Sequence, residues 1–517
     1  MTGDAAPVSP DPSGTDASST GEESANLALW LTRQATERPD AAAIRQGEVT
    51  LSFAALNDAS ARAAALLAEH GVRPGDHVSL IMPNVAYFPI VYYGILRLGA
   101  VVVPTNPLLK SGEISYIWQD SGCRVAVVFA MFAPDAALAA KDTGTDVITV
   151  VPGEFDALLA EQQPLAEVTA REEQDTAVIL YTSGTTGRPK GAELSNHNIG
   201  TNVRTSMDEL FSGGPDDVLF GGLPLFHSFG QTCTLNSAVY AGSCLALLPK
   251  FDPAAALQVV QDEKVTIFYG VPTMYVALLQ FADKERFDTS TLRLAVSGGA
   301  SLPVEVLHGI EEAFDLRLLE GYGLSETSPV ATFNRPDRPT KPGTVGLPIP
   351  GVEAKIVGPD DHDVPVGEIG EIVIRGDNIM KGYLNNAAAT AEALRGGWFH
   401  SGDLGTLDED GYITIVDRVK DMIVRNGYNV YPREVEELLY THPAVAEAAV
   451  VGVPDASHGE EIAALITLKE GTEVSADELR DWTAERIAAY KYPRIVKFGT
   501  IPKGPTGKIL KREIKIN

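Results

Sequence analysis

Continuous runs of Val, Ile and Leu recur between residues 77 and 299, and they leave few architectures open. They are HVSLIMP (77–83), AVVVP (100–104), RVAVVFA (124–130), DVITVVP (146–152), TAVILYT (176–182), SCLALLP (243–249), KVTIFYG (264–270) and LRLAVSGG (292–299). A strand with one wet face alternates apolar and polar residues, whereas these do not alternate. Such strands belong in a parallel sheet covered on both faces. Helical patterns lie between and before them. Leu27, Trp30 and Leu31 share one helical face. Ser52 can cap a helix that carries Leu56, Ala59, Leu66 and Leu67 and stops at Gly71. YFPIVYYGILRLG (87–99) reads as a helix ended by Gly99.

The texture changes after about residue 340. EAKIVGPDDHDVPVGEIGEIVIRG (353–376) has short strands and turn dipeptides, which predicts a small β-rich subdomain. It changes again after DRVKD (417–421). Beyond lie a helix over 432–443, strands over 446–453 and 463–469, a helix over 475–490 opened by a Ser475/Glu478 capping box, and a strand over 494–500. A chain of 517 residues is too long for one core. The expected fold class is therefore α/β: a large N-terminal domain of parallel-rich α/β sheets with a β-rich subdomain, then a small mobile C-terminal α+β domain. The expected boundaries are 1–24, an acidic tail read as disordered for its Ser, Pro and Gly content and lack of Lys or Arg, then 25–417, and 418–517.

The formal net charge of −28 repels phosphodiesters and anionic membranes, so no nucleic-acid partner is expected. An anionic small substrate would need a local basic patch. The only cysteines are Cys123, Cys233 and Cys244, with no CxxC spacing, which argues against a disulfide framework or zinc site and fits a cytoplasmic protein. The N-terminus has no cationic or apolar region of a signal peptide, and no run is long enough for an integral membrane segment.

One stretch cannot build a core: YTSGTTGRPKG (181–191). It follows a strand, where open α/β sheets place ligand-binding loops. Glycines let the backbone approach an anion, hydroxyls donate, and Lys190 adds charge. Its G-x-x-G spacing is not that of a Walker A loop. On these residues alone, a flexible surface loop and a phosphate grip are both open.

The stretch resembles the phosphate loop of the adenylate-forming superfamily of acyl-CoA synthetases, adenylation domains and firefly-type luciferases. PLFHSFG (224–230), SGGASLP (297–303), EGYGLSETSP (320–329), GWFHSGDLG (397–405), DRVKDMIVRNGYNVYPREVE (417–436) and IPKGPTGKILKRE (501–513) follow in that family's order. The resemblance runs from about residue 25 to the end. It implies an enzyme of two half-reactions: a carboxylate attacks the α-phosphorus of ATP, giving acyl-AMP and pyrophosphate, and the thiol of CoA then displaces AMP. Negative charge builds up where anion meets anion, so cations and Mg²⁺ are implied.

By the same resemblance, Thr182, Ser183, Gly184, Thr185, Thr186, Gly187 and Lys190 would grip the β- and γ-phosphates. Glu320, Gly321, Tyr322, Gly323 and Ser325 would lie along the nucleotide, with Tyr322 on adenine and Ser325 at the α-phosphate, where the family more often has Thr. Glu326 would hold the Mg²⁺, and Gly299, Ala300 and Ser301 would wall the adenine. Asp403, assisted by Arg418, would take the ribose hydroxyls. Lys508 would be the catalytic lysine of adenylation, Lys420 the hinge, and Gly427 the lining of the CoA tunnel.

The acyl pocket by motif position is His227, Phe229, Cys233, Gly298, Gly321, Ser328, Pro329 and Val330, with His227 read as a gate. No acid awaits an ammonium there and no Arg a second carboxylate, which points to an apolar monocarboxylate. Gly298 and Gly321 are read as leaving room for length, which favours a medium- or long-chain fatty acid over an aryl acid. Delivery to a carrier protein or a non-thiol nucleophile is the rival to CoA. A non-enzymatic relative would need a broken motif, and none is broken. A monomer or homodimer is expected.

Overall fold

The computed structural model describes residues 24–182, 188–455 and 457–516. All but the last residue of the acidic tail, and Ser183, Gly184, Thr185, Thr186 and Gly187 of the glycine loop, lie outside the described residues.

Two large sheets form the body. In the first, Thr176–Thr182, Val101–Pro104, His77–Ile81, Val125–Phe129 and Asp146–Val150 lie side by side, all parallel. Lys190–Ser195 joins its edge antiparallel to Thr176–Thr182. In the second, Leu318–Gly323, Leu294–Ser297, Ile267–Gly270, Val218–Gly221, Cys244–Leu247 and Ala42–Gln46 run parallel in that order, with antiparallel strands at both ends.

Helices fill the space between. Ser52 caps the helix Phe53–Glu69 by accepting the Ala55 N–H at 3.2 Å. The helix Tyr87–Arg97 is buried on every side from Phe88 onward, as an apolar helix with no polar face must be. One continuous core joins Val78 and Val102 of the first sheet, Phe88 and Ile95 of this helix, and Leu219, Ile267 and Val296 of the second.

The β-rich region is a four-stranded antiparallel sheet of Val352–Val357, Gly370–Gly376, Phe399–Leu407 and Ile413–Arg418. Its register sets Asp403 opposite Arg418, and its last strand runs straight into the expected hinge. Beyond lies a separate core built from Ile423, Val430, Val435, Leu439, Val450, Ile462 and Leu479. It is wrapped by the helix Pro432–Tyr440, the strands Val445–Asp455 and Gly459–Leu468, and the helix Ala476–Ala484. The Ser475/Glu478 box is present, but the helix stops at Ala484 rather than continuing to 490. Past it, Ile487 and Tyr490 turn onto the small core, and Tyr490 stacks on Tyr428 with ring centroids 4.8 Å apart. Both are half-buried there, in positions that a helix continued to 490 would have to share with its own register.

Candidate active site

Strand ends of the large sheets, the β-rich region and the small C-terminal body meet at one cleft, where Tyr322 reaches Asp403, Arg418 pairs with Asp403, Thr182 reaches Glu326 and Thr273 reaches Gly507. Thr182 and Lys190, which flank the glycine loop, are paired across antiparallel strands. Both flanks are braced. Tyr116 donates to the Pro189 carbonyl at 2.9 Å, Tyr181 to Asp120 at 2.6 Å, and the Arg188 guanidinium stands 5.5 Å over the Tyr116 ring. Among the described residues, the segment after the loop is the strand Lys190–Ser195 rather than a helix, so an anion bound there would draw on Lys190, hydroxyls and backbone N–H groups.

Glu326 lies on a short turn, Ser325–Thr327, and is 7% exposed. Its Oε1 accepts from Thr182 Oγ1 at 3.3 Å and from the Tyr383 hydroxyl at 2.9 Å. Lys190 Nζ stands 4.9 Å above the same Tyr383 ring. Tyr383 thus links the carboxylate to the loop's cation, and the sequence reading missed it. It arrives through a long-range antiparallel pairing with Ala192, of which KGYLNN alone gives no sign. Among the described residues no group of three His, Cys, Asp or Glu could hold a metal unaided. One carboxylate beside a hydroxyl is a donor set that suits a hard cation completing its shell from phosphate oxygens and water.

Asp403 is 3% exposed. Arg418 Nε reaches its Oδ1 at 2.9 Å and the Tyr322 hydroxyl donates to its Oδ2 at 2.7 Å. A carboxylate has about four acceptor sites, so both oxygens keep capacity for further donors. Ser325 Oγ meets Ser228 Oγ at 3.5 Å. A Cβ at Gly323 would collide with the Pro329 carbonyl, so only glycine fits. Gly299 has φ +78° and leads to half-buried Ala300 and Ser301. Glu320 departs from the expectation that it faces the nucleotide. It is 1% exposed and accepts the Leu302 N–H at 2.9 Å, under the adenine-side loop. Burial pushes its carboxyl up to about 7.

His227 accepts the Phe229 N–H on Nδ1 at 3.3 Å, which leaves Nε2 to carry the proton in the neutral ring. Burial, and then the nearby Lys508 ammonium, push it down to about 4. Lys508 is exposed and lies near Arg418, Asp403 and His227. Crowding by the walls, and then Arg418, push it down to about 8; its side chain is still reached by solvent, which offsets part of that penalty. Lys420 is exposed in the turn after Arg418. Gly427 is away from the cleft, at the tip of a hairpin joining Ile423–Arg425 to Tyr428–Val430. Asn426 (φ +51°) and Gly427 (φ +79°) form its two-residue turn, a conformation that selects Asn-Gly.

The acyl-side residues gather, but not as expected. A Cβ at Gly321 would come within 2.5 Å of the Phe333 ring, and one at Gly298 within 3.1 Å of the Phe229 ring. These two glycines do not leave room for length: aromatic rings fill the space beside them. Phe229 meets Tyr269 edge-on at 6.2 Å, Tyr269 meets Phe211 at 5.9 Å, and Phe211 meets Phe333 at 5.1 Å. Phe211, Tyr269 and Phe333 carry no motif signal. Cys233 is 1% exposed and burial raises its thiol well above the usual range, so it packs as an apolar group. Val330 is held by its carbonyl, which accepts from Asn202 Nδ2 at 2.7 Å and Asn378 Nδ2 at 3.0 Å. Ser328 sits at φ +69° before Pro329, whose carbonyl accepts from Thr327.

Comparison with known proteins fits this geometry. The family description "AMP-binding enzyme" matches residues 31–384, and "AMP-binding enzyme C-terminal domain" matches 434–508. A feruloyl-CoA synthase of Amycolatopsis sp. is 38% identical, covering 95% of this chain and 98% of its own. A long-chain-fatty-acid–CoA ligase of Bacillus subtilis (strain 168) is 36% identical, covering 94% and 93%. The crystal structure of the anthranilate CoA ligase AuaEII in complex with anthranoyl-AMP superimposes with TM-score 0.89 at 31% identity, covering 94% and 96%. Among the described residues no helix is long and apolar enough to cross a membrane. The chain belongs to the AMP-binding enzyme family of the adenylate-forming superfamily and is an acid–thiol ligase, activating a carboxylic acid with ATP through acyl-AMP and passing it to CoA.

Proposed function

We propose that the acid is a compact apolar monocarboxylate, an aryl acid before a long-chain one. The observation that carries this is the row of rings Phe229, Tyr269, Phe211 and Phe333 beside Gly298 and Gly321. Packed rings beside the two glycines form an apolar wall that limits how far an acid can extend past them, which suits a compact acid better than a long chain. The likeness to the Bacillus subtilis long-chain ligase supports the second reading, a medium- or long-chain fatty acid.

In this reading Lys190, Thr182 and the loop hydroxyls bind the β- and γ-phosphates. Tyr322 stacks on adenine, and Asp403, held by Arg418 and Tyr322, takes the ribose hydroxyls. Glu326, steadied by Tyr383 and Thr182, would hold a Mg²⁺ ion that neutralises phosphate charge. Lys508 bridges the acyl carboxylate and the α-phosphate, bringing positive charge to where negative charge develops. Neutral His227 separates the acyl pocket from the thiol path. A turn at Lys420 then withdraws Lys508 and brings Gly427 inward for the thiol step.

Pyrophosphate release measured over aryl, fatty and amino acids, with and without CoA, tests the substrate. Release driven by aryl acids, with aryl-CoA appearing when CoA is present, is the expected result. Preference for acids of twelve or more carbons would overturn the compact reading. Phe229→Ala should open the pocket and move the optimum to bulkier acids, shifting the ratio of kcat/KM values by about tenfold.

Glu326→Gln is expected to raise the Mg²⁺ concentration for half-maximal release by about tenfold or more. An unchanged metal requirement would remove Glu326 from the metal site. The pH dependence follows from Lys508. Its ammonium is the active form, and its lowered pKa means that the charge is lost early as pH rises. Pyrophosphate release should therefore decline above about pH 8. Thioester formation from supplied acyl-AMP should rise over the same range as the CoA thiol ionises, near about 8.5 by analogy with cysteine. His227, neutral above about 4, adds no inflection between pH 6 and 9, so His227→Asn should leave the profile's shape unchanged.

A further inference from the structure

The turn that carries Lys508 is fastened at both ends to the small C-terminal body. Lys503 pairs with Glu447 at 2.7 Å and Lys511 with Glu436 at 2.8 Å. Within the turn, Gly504 N–H donates to the Lys508 carbonyl at 2.8 Å and Gly507 N–H to the Gly504 carbonyl at 2.9 Å. None of these contacts tells the turn where to sit over the cleft.

One side chain of the large body does. Thr273, at the start of the helix Pro272–Gln280, donates its hydroxyl to the Gly507 carbonyl at 2.9 Å. A threonine so near a helix start often turns its hydroxyl to the helix's own backbone; here it reaches across to the other body. The approach is close enough to exclude any side chain at residue 507. A Cβ on Gly507 would come within 2.8 Å of both Thr273 Oγ1 and Val271 Cγ2, and the φ of +79° independently favours glycine. The residue after this glycine is Lys508.

We propose that Thr273 is a positioning residue for the adenylation half-reaction. It holds the Gly507 carbonyl and so fixes Lys508 over the cleft, and its bond must break before the small body can turn to the thiol step. This rests on Lys508 acting in adenylation, and Lys508→Ala serves as the separate check on that premise. A second contact spans the same boundary: the Val304 N–H donates to Glu437 Oε2 at 3.4 Å. It lies away from Lys508 and serves as the comparison, since its loss should loosen the two bodies without aiming the lysine.

The full-length chain is used, with ATP and the best acid of the panel. Thr273→Val keeps the shape and removes the hydroxyl. Pyrophosphate release should fall about tenfold, the worth of one well-placed hydrogen bond, with little change in KM for ATP. Thioester formation from supplied acyl-AMP should be unchanged or faster. Thr273→Ser keeps the donor and should restore release. Gly507→Ala should lose more release than Thr273→Val, again sparing the thiol step, because its methyl pushes the turn outward. Glu437→Ala, which removes the acceptor, should change the two half-reactions by less than twofold relative to each other.

Equal slowing of both half-reactions by Thr273→Val, or no slowing of either, would overturn the proposal. So would failure of serine to restore release. If Lys508→Ala does not separate the half-reactions, the premise itself falls. If Lys508→Ala separates them and Thr273→Val does not, only the positioning role falls.

Discussion

Lys508→Ala is expected to cut pyrophosphate release by about 10²–10³-fold, the usual cost of removing one group aimed at developing charge. Thioester formation from supplied acyl-AMP should stay within about twofold of the unaltered protein. The asymmetry has a structural source. The lysine sits on a turn fastened to the small body by Lys503–Glu447 and Lys511–Glu436, while Asp403, Arg418, Tyr322 and Glu326 belong to the rest of the chain. Alanine removes the charge without disturbing those anchors. It leaves no buried partner unpaired, since the side chain stands in the open cleft. A small effect on stability should therefore accompany a large effect on rate. Equal loss of both half-reactions would mean that the lysine serves the fold or both chemical steps, and the division of labour would be wrong.

Gly427→Phe is expected to do the opposite: pyrophosphate release within about twofold, thioester formation down by about 10²-fold or more. A well-packed path blocked by a misplaced group of this size loses productive geometry for the attacking atom. In the present arrangement nothing lies within 4 Å of a Cβ at Gly427, so no clash interferes with adenylation. The positive φ imposes a strain on any side chain of roughly 1–2 kcal/mol, and this must be separated from the blockade. Gly427→Asn supplies the control, because asparagine tolerates that conformation and often occupies such turns. Asn should retain more thioester formation than Phe at similar stability. Loss of both half-reactions in the two variants would assign Gly427 to the turn alone.

Much of this arrangement could be read from residue order. The unbroken apolar runs fixed parallel strands because no other packing hides both faces, and the strand Thr176–Thr182 falls where TAVILYT stands. Ser52 and Ser475 announced their helices because a hydroxyl at a cap is a local event. Lys190, Glu326, Asp403 and Lys508 were visible because their motifs are short and contiguous. What could not be read depends on distance. Tyr383 reaches Glu326 across 57 residues, and Thr273 reaches Gly507 across 234. The error at Gly298 and Gly321 has the same origin. A glycine was taken as empty space, yet whether the space is empty depends on Phe229 and Phe333, which fold in from elsewhere. The helix expected to reach 490 stops at Ala484, and Ile487 and Tyr490 pack against the small core through contacts no local pattern displays.

The rings beside Gly298 and Gly321 all come from residues 211 to 333, and the small body that follows Lys420 has a core of its own. In the proposed reading, choice of acid and choice of acceptor fall on opposite sides of one short turn. If that reading holds, a recombination joint placed at residues 419–421 is expected to exchange the acceptor face between related enzymes and leave the acid unchanged. A lineage built this way can try new acceptors without relearning which acid it activates.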